Sequence, residues 1–382
     1  MKWWVKGQLL AGSVLLLSLT AIAITTVFTN ALTKNCDTQK LKPPAHRQTE
    51  MCQSRQSGTL LSQKTDFHYE SSDLIANVLY QRRLSGLYKS MAPSGANGTN
   101  FLWERNRAKN WYIEEQRNGE ELVIGGLIKN DPKAIQAGFK MFDWGFARQA
   151  ANGSFRGTPD SFHSTSFFVQ AVAHTLLVIQ QSPQSRRYAA QVEHYTPLVH
   201  RAARWMISPD VWKKGIKGNR RYTHRRYLVA AALGLTGKLT GDRQLIDYAR
   251  QSMKEGLSLQ RKDGVNPEKG GYDSSYQMVG IVYAQRWVTY FPNDSLTPKV
   301  KVMIDKALSW QKTRILPTGK ISTNGNTRTA GQERGRSRKV KMVSYNSAIR
   351  GFAYWASVTG DKRWEAIARQ IAQYYYPRPN RY

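Results

Sequence analysis

The chain of 382 residues carries 57 Lys and Arg against 26 Asp and Glu, a net charge of +31. Such an excess excludes an ordinary near-neutral surface and points to a polyanionic partner: nucleic acid, anionic lipid or an acidic polysaccharide. A hydrophobic content of 41%, with 11% aromatic, supports a packed core and excludes a mainly disordered chain.

The N-terminus opens with Lys2 and Lys6, then runs uncharged from Gly7 to Ala31. Its apolar stretch from Leu9 to Phe28 is 20 residues long, about what a helix needs to cross a bilayer. No clean small-residue cleavage site follows, so residues 1–32 are expected to be an uncleaved signal-anchor rather than a cleaved signal peptide. Lys34, Lys40 and Lys42 follow the span and blunt any charge asymmetry that would fix its orientation. Residues 33–64, rich in Gln, Pro, Ser and Lys, read as a linker or stalk. The chain's two cysteines, Cys36 and Cys52, lie in it, and in an exported chain they suit one disulfide. No further Cys or His sits nearby at ligand spacing, so neither zinc nor any other cofactor is expected. The remainder is placed outside the cytoplasm, anchored or secreted.

From residue 65 to the end the pattern is helical, and its punctuation is periodic. The turn signals Asn97-Gly98, Asn152-Gly153, Pro209-Asp210, Asp263-Gly264 and Thr318-Gly319 are separated by 55, 57, 54 and 55 residues. Between them fall Asn130-Asp131-Pro132, Gly241-Asp242, Asn293-Asp294 and Gly360-Asp361, each before an amphipathic stretch. Two helices per repeat, five or six times over, describe an all-α architecture of stacked hairpins, either an open solenoid or a complete or incomplete α/α toroid. Gln149-Ala-Ala-Asn-Gly153 and Gln260-Arg-Lys-Asp-Gly264 are locally alike and support the repeat.

After these turns the next helix starts carry more chemistry than a structural helix needs. They hold Asp160 to Phe168 with His163, Asn219 to Tyr227 with Arg225 and His224, Asn266 to Gln277 with Tyr272 and Tyr276, and Tyr345-Asn346 with Arg350. In a toroid such starts converge on one end of the axis, making His163, His224, Tyr276, Asn346 and Arg350 a candidate cleft. His, Tyr, Asn and Arg suit abstraction of the C5 proton of a uronic acid. That step needs a base, a group that neutralises the carboxylate, and an acid for the departing O4; it needs no metal. Hydrolysis would need two carboxyl groups instead, and Glu104, Asp160 and Asp273 keep that alternative open.

With His224 and Tyr227 opening one helix and Tyr276 following 52 residues after His224, the chain resembles the α/α-toroid polysaccharide lyases, the alginate-lyase-like branch especially. Asp273-Ser-Ser-Tyr-Gln277 also looks like an element of toroid lyases acting on hyaluronan and chondroitin. The likeness spans the layout from Phe139 to Arg350. It implies catalytic roles for His224 and Tyr276, with His163 an equal candidate for the base, and substrate contacts from Tyr227, Tyr272 and Tyr345. Thr223 stands where the motif has Asn, so Asn219, Arg225, Asn346 or Arg350 would have to neutralise the carboxylate.

The segment from Thr323 to Lys341 holds six cations, among them Arg336 and Arg338, and one acid, Glu333. Without apolar anchors it is expected to be a mobile clamp on a polyanion. No nucleic-acid module is recognisable, and the export-type start also argues against nucleic acid. The reading is an extracytoplasmic lyase of a uronate-containing polymer such as alginate, glucuronan or a glycosaminoglycan. Its rivals are a hydrolase or C5-epimerase on the same fold, and a non-catalytic polysaccharide binder. Polymer identity, endo or exo attack and oligomeric state are not encoded in any motif.

Overall fold

A computed structural model of the chain describes residues 64–376, apart from 90, 332 and 336–338. The expected membrane span, the stalk and the Cys36–Cys52 pair lie outside the described residues, as do Arg336 and Arg338. Among the described residues no strand forms, only isolated bridges. The helices are α1 (Asp66–Glu70), a π-helical turn (Ile75–Tyr80) continued by α2 (Gln81–Lys89), α3 (Thr99–Glu104), a 3-10 turn (Ile113–Asn118) leading into α4 (Gly119–Lys129), and α5 (Pro132–Phe146). Then come α6 (Ser161–Gln181), α7 (Ala189–Met206), α8 (Pro209–Asn219), α9 (Thr223–Thr240) and α10 (Arg243–Leu259). The last four are α11 (Ser274–Tyr290), α12 (Thr297–Lys312), α13 (Tyr345–Thr359) and α14 (Lys362–Tyr375).

Five hairpins result, and their first helices, α4, α6, α9, α11 and α13, pack side by side in that order. The helical segment 75–89 fits between α13 and α4, so the ring closes on itself. The second helices, α5, α7, α10, α12 and α14, form the outer layer. The sequence dictates this layering. Along α6 the residues from Phe162 to Ile179 are buried on nearly every side, as an inner helix requires. On α10 only Leu245, Ala249, Ser252, Met253 and Gly256 are buried, one stripe at helical spacing.

Both sets of turn signals have a physical basis. Between inner and outer helices, Asn130, Gly241 and Gly360 adopt left-handed conformations, with φ of 52°, 75° and 75°. The aspartate that follows each, Asp131, Asp242 or Asp361, caps the outer helix by accepting backbone N–H bonds. Between outer and inner helices, Gly95, Gly153, Gly264 and Gly319 sit at φ of 87–98°. A Cβ at any of them would lie 2.1–2.3 Å from a carbonyl oxygen of the next outer helix, at Lys140, Arg201, Lys306 or Gln370. Gln149 and Gln260 each donate Nε2 both to the turn glycine's carbonyl and to a carbonyl of that helix, Leu198 or Met303. The local likeness between 149–153 and 260–264 is therefore one hydrogen-bonded corner used twice. Two turn assignments are corrected. Gly95 takes the recurring position rather than Gly98, and Pro209-Asp210 opens α8, an extra helix with no counterpart in the other repeats.

The ring axis is filled by charge. His174 of α6 bonds Asp66 of α1 through Nε2 and Glu120 of α4 through Nδ1, at 2.5 Å each. Arg286 of α11 donates to Glu120 at 2.5 Å, and Arg350 of α13 donates to the Tyr80 hydroxyl at 2.6 Å and lies 3.4 Å from Glu70. Tyr80 donates to Glu70, and Tyr354 donates to Asp66 at 2.8 Å. Asp66, Glu70 and His174 have the spacing of a metal-binding group. Their charges are already matched, however: three carboxylates face Arg286, Arg350 and a histidine whose pKa is raised. Burial alone would lower that pKa, and so would Arg286, but the Asp66 and Glu120 carboxylates outweigh them.

Replacing Gly264 with Ala should destabilise the protein by about 2 kcal/mol or more, since a positive φ and a backbone clash act together. Chemical denaturation of the variant checks this. Unchanged stability would mean that the corner yields without cost.

Candidate active site

The starts of α6, α9, α11 and α13 open onto one cleft of about 860 Å³, lined by His163, Arg225, His224, Tyr276, Asn346 and Arg350 among others. Four helix N-termini facing the same space add positive potential to that of the side chains. The floor reaches the axial network, because Glu120 and Arg286 also line the cleft.

Asp273 organises its catalytic wall. One carboxylate oxygen accepts the backbone N–H of Ser275 and Tyr276 at 3.0 Å, which starts α11 and sets Tyr276 in its first turn. The other accepts the N–H of Arg328 and Thr329 at 3.0 and 2.9 Å, fastening the basic loop to the same point. Asn326, Arg328 and Thr329 are buried. The expectation of an unanchored clamp is thereby corrected over this part: polar groups hold the loop where apolar ones are missing.

His224 is positioned by Glu268, which accepts from its backbone N–H at 3.0 Å and lies 2.7 Å from its Nδ1. The second Glu268 oxygen accepts from Arg328 at 3.2 Å. With the proton on Nδ1, Nε2 is left as a lone pair with no partner among the described residues. Burial holds the His224 pKa below the usual value; Glu268 opposes this, while Arg328 and Arg225 add to it. His163 is lowered further, first by burial and then by Arg225 and His224. Both imidazoles are neutral at pH 7.

The His224 and Tyr276 ring centroids are 4.7 Å apart. The Arg328 guanidinium lies over the Tyr276 ring at 3.5 Å, and Lys341 donates to its hydroxyl at 3.2 Å. Glu333 ties these cations together, accepting from Arg328 at 2.8 Å, Lys341 at 2.6 Å and Lys269 at 3.4 Å. Next to His224 at the start of α9, Arg225 bonds Asp160 at 3.0 Å and Asn219 at 3.3 Å. Its Nε, like Nδ1 of His163, is buried with no hydrogen-bond partner.

The remaining sequence candidates lie elsewhere. Tyr227 is fully buried, its ring against Gly256 of α10 and its hydroxyl 3.3 Å from Asn266. Asn219 is buried behind Arg225. Tyr272 packs on Trp310 and donates to the Asn324 carbonyl at 3.1 Å. Tyr345 stacks on Tyr375 at 4.4 Å. Sequence reading gave Glu268, Arg328 and Lys341 no individual role. The one available signal was a single acid beside Lys269 in the turn that ends Gly270-Gly271.

The structure is similar to that of Streptomyces coelicolor A3 chondroitin AC lyase, solved in complex with chondroitin sulphate, with a TM-score of 0.53 at 13% identity. The match covers 77% of this chain and 41% of the lyase. The two share an α/α-toroid fold. No protein-family model and no curated protein sequence matches the chain. The likeness is one of architecture, so the site's chemistry has to be argued from its own residues.

Because Glu268 raises the His224 pKa against the effect of burial, Glu268→Gln should move the His224 midpoint still lower. NMR titration of the His224 ring checks this, and an upward shift would contradict the assigned pairing.

Proposed function

We propose that the protein is a polysaccharide lyase that cleaves a uronate-containing chain by β-elimination. The observation that carries this reading is the facing pair of His224, neutral with a free Nε2, and Tyr276, held between Arg328 and Lys341. In the proposed reaction Nε2 takes the C5 proton, the electron pair forms the C4–C5 double bond, and the C4–O4 bond breaks. The Tyr276 hydroxyl gives its proton to O4, and Lys341 stabilises the oxygen that remains. Glu268 stabilises the imidazolium formed at His224, and solvent exchange restores both groups. Arg225 is the candidate for neutralising the substrate carboxylate, since its buried Nε lacks a partner and it belongs to the same helix start as His224. A hydrolase is less well supported: Glu268 and Glu333 are committed to cations, and Asp160 is bonded to Arg225. That the similar lyase was solved with chondroitin sulphate favours an acidic polysaccharide here. Export and membrane attachment through residues 1–32 are part of the same proposal and rest on sequence alone.

The test incubates the protein with alginate, glucuronan, hyaluronan and chondroitin and follows ultraviolet absorbance of the unsaturated product. Absorbance with at least one polymer is expected. New reducing ends without absorbance would mean hydrolysis, and deuterium uptake at C5 without cleavage would mean epimerisation. Tyr276→Phe should lower turnover by about 10²-fold or more while polymer binding stays within a few-fold. Wild-type rates in that variant would remove Tyr276 from the mechanism. The acidic limb of the rate profile should fall below pH 6.5, because the lowered His224 pKa keeps the base unprotonated down to that range.

A further inference from the structure

Helix α8 breaks the repeat, and with the two residues that follow it, it carries five cations and one acid, Asp210, at the cleft's end of the ring. It packs on α6, α7 and α9, with Gly215 against the Phe162 ring and Trp212 beside Phe162 and Tyr248. Phe162 is the neighbour of His163, and α8 runs through Arg220 and Arg221 directly into Tyr222 and His224. The Arg221 carbonyl accepts the backbone N–H of Lys269 at 2.8 Å, which joins this segment to the loop bearing Glu268. Its outward side carries Lys213, Lys214, Lys217, Arg220 and Arg221, all exposed. None of the five has a carboxylate within ion-pairing distance among the described residues. The cleft's own cations differ, since Arg225, Arg328, Lys341 and Arg350 are each bonded to protein groups.

Lys217, in the last turn, complements the helix dipole. Lys213 and Lys217, four residues apart with the same charge, disfavour the helix instead. Folding does not account for that arrangement, whereas an external polyanion would relieve it. We propose that the exposed side of α8 with Arg220 and Arg221 is a second polyanion-binding site, which holds the acidic chain where it leaves the catalytic cleft. The proposal builds on the reading of the substrate as an acidic polysaccharide, and commits that reading to a polymer longer than the cleft. A long chain then binds through the cleft and the exposed side of α8 together, and its retention depends on salt because both contacts are ionic.

Binding of the full chain to dextran sulfate, which has no uronate to eliminate, tests the site independently of turnover. Affinity is measured across a series of salt concentrations for wild type, for Lys213→Gln/Lys214→Gln/Lys217→Gln, and for the charge-matched Lys299→Gln/Lys301→Gln/Lys306→Gln on α12. The α8 triple should bind about tenfold more weakly, with a salt slope shallower by about one to two. The α12 triple should behave as wild type. Equal losses in both triples would reduce the effect to net charge and overturn the site. So would an unaltered α8 triple whose thermal unfolding matches wild type, or binding confined to vesicles of anionic lipid. Failure of the ultraviolet assay with every polymer would overturn the lyase reading and leave this result standing.

Discussion

The ring depends on a balance of buried charge at its axis. Asp66, Glu70 and Glu120 meet His174, Arg286 and Arg350, contributed by α1, α4, α6, α11 and α13. Taking such ions out of water costs several kcal/mol apiece, and their mutual attraction restores that only when every partner is present. The network therefore says less about how stable the ring is than about which ring forms. An inner helix in the wrong order, or a chain without α1, leaves a buried charge unpaired. Removal of one partner from such a set costs about 3–5 kcal/mol. The lowered acid pKa values follow from the same balance. Burial alone would raise Glu120, yet Arg286 and His174 bring it down to about 2.

That axial balance sets the floor of the catalytic space. Glu120 and Arg286 line both the network and the cleft, so the closure that buries the charges also fixes where α6, α11 and α13 begin. On the wall above, single carboxylates each serve two structures. Asp273 caps α11 and pins the loop at Arg328 and Thr329. Glu268 orients His224 and holds the Arg328 side chain. His224, Tyr276 and Arg328 are thus placed by groups that also build the fold. This is how residues separated by 52 and 104 positions keep one geometry.

The repeat was legible because its corners are made by local chemistry: a left-handed residue before an Asp cap, or a glycine where a Cβ has no room. Those corners also located the starts of α6 and α11, and with them His163 and Tyr276, while His224 was placed through the spacing of Pro209-Asp210, which opens α8. Ring closure was not legible. The segment 75–89 packs against α13, and Asp66 bonds Tyr354 across 288 residues, with no local signal of either. Glu268 and Arg328 escaped assignment for the same reason, their partners lying 44 and 60 residues away. Tyr227 entered the candidate list through the family motif. Its ring packs against Gly256 of α10, however, and it is not among the residues lining the cleft. Pro209-Asp210 matched the interval of the other turns because a proline after a serine suits a helix start as well as a turn.

The surplus of +31 acts differently at the two distances that matter. Over the outer surface it supplies a long-range field, screened within about 10 Å at ordinary salt, that gathers polyanions without selecting among them. Inside the cleft the same sign of charge bears on a titrating base. Burial does most to lower the His224 pKa, and Arg328 and Arg225 lower it further. The positive field that lines the cleft therefore also keeps the imidazole free of a proton at neutral pH, as the proposed reaction requires. Left unopposed, that field would make the imidazolium of the proposed reaction too costly to form. Glu268 is the local counterweight, a full negative charge 2.7 Å from Nδ1 that favours the protonated ring. The cleft thus surrounds His224 with cations and gives it one acidic contact, and in the proposed reaction the second is what allows the first.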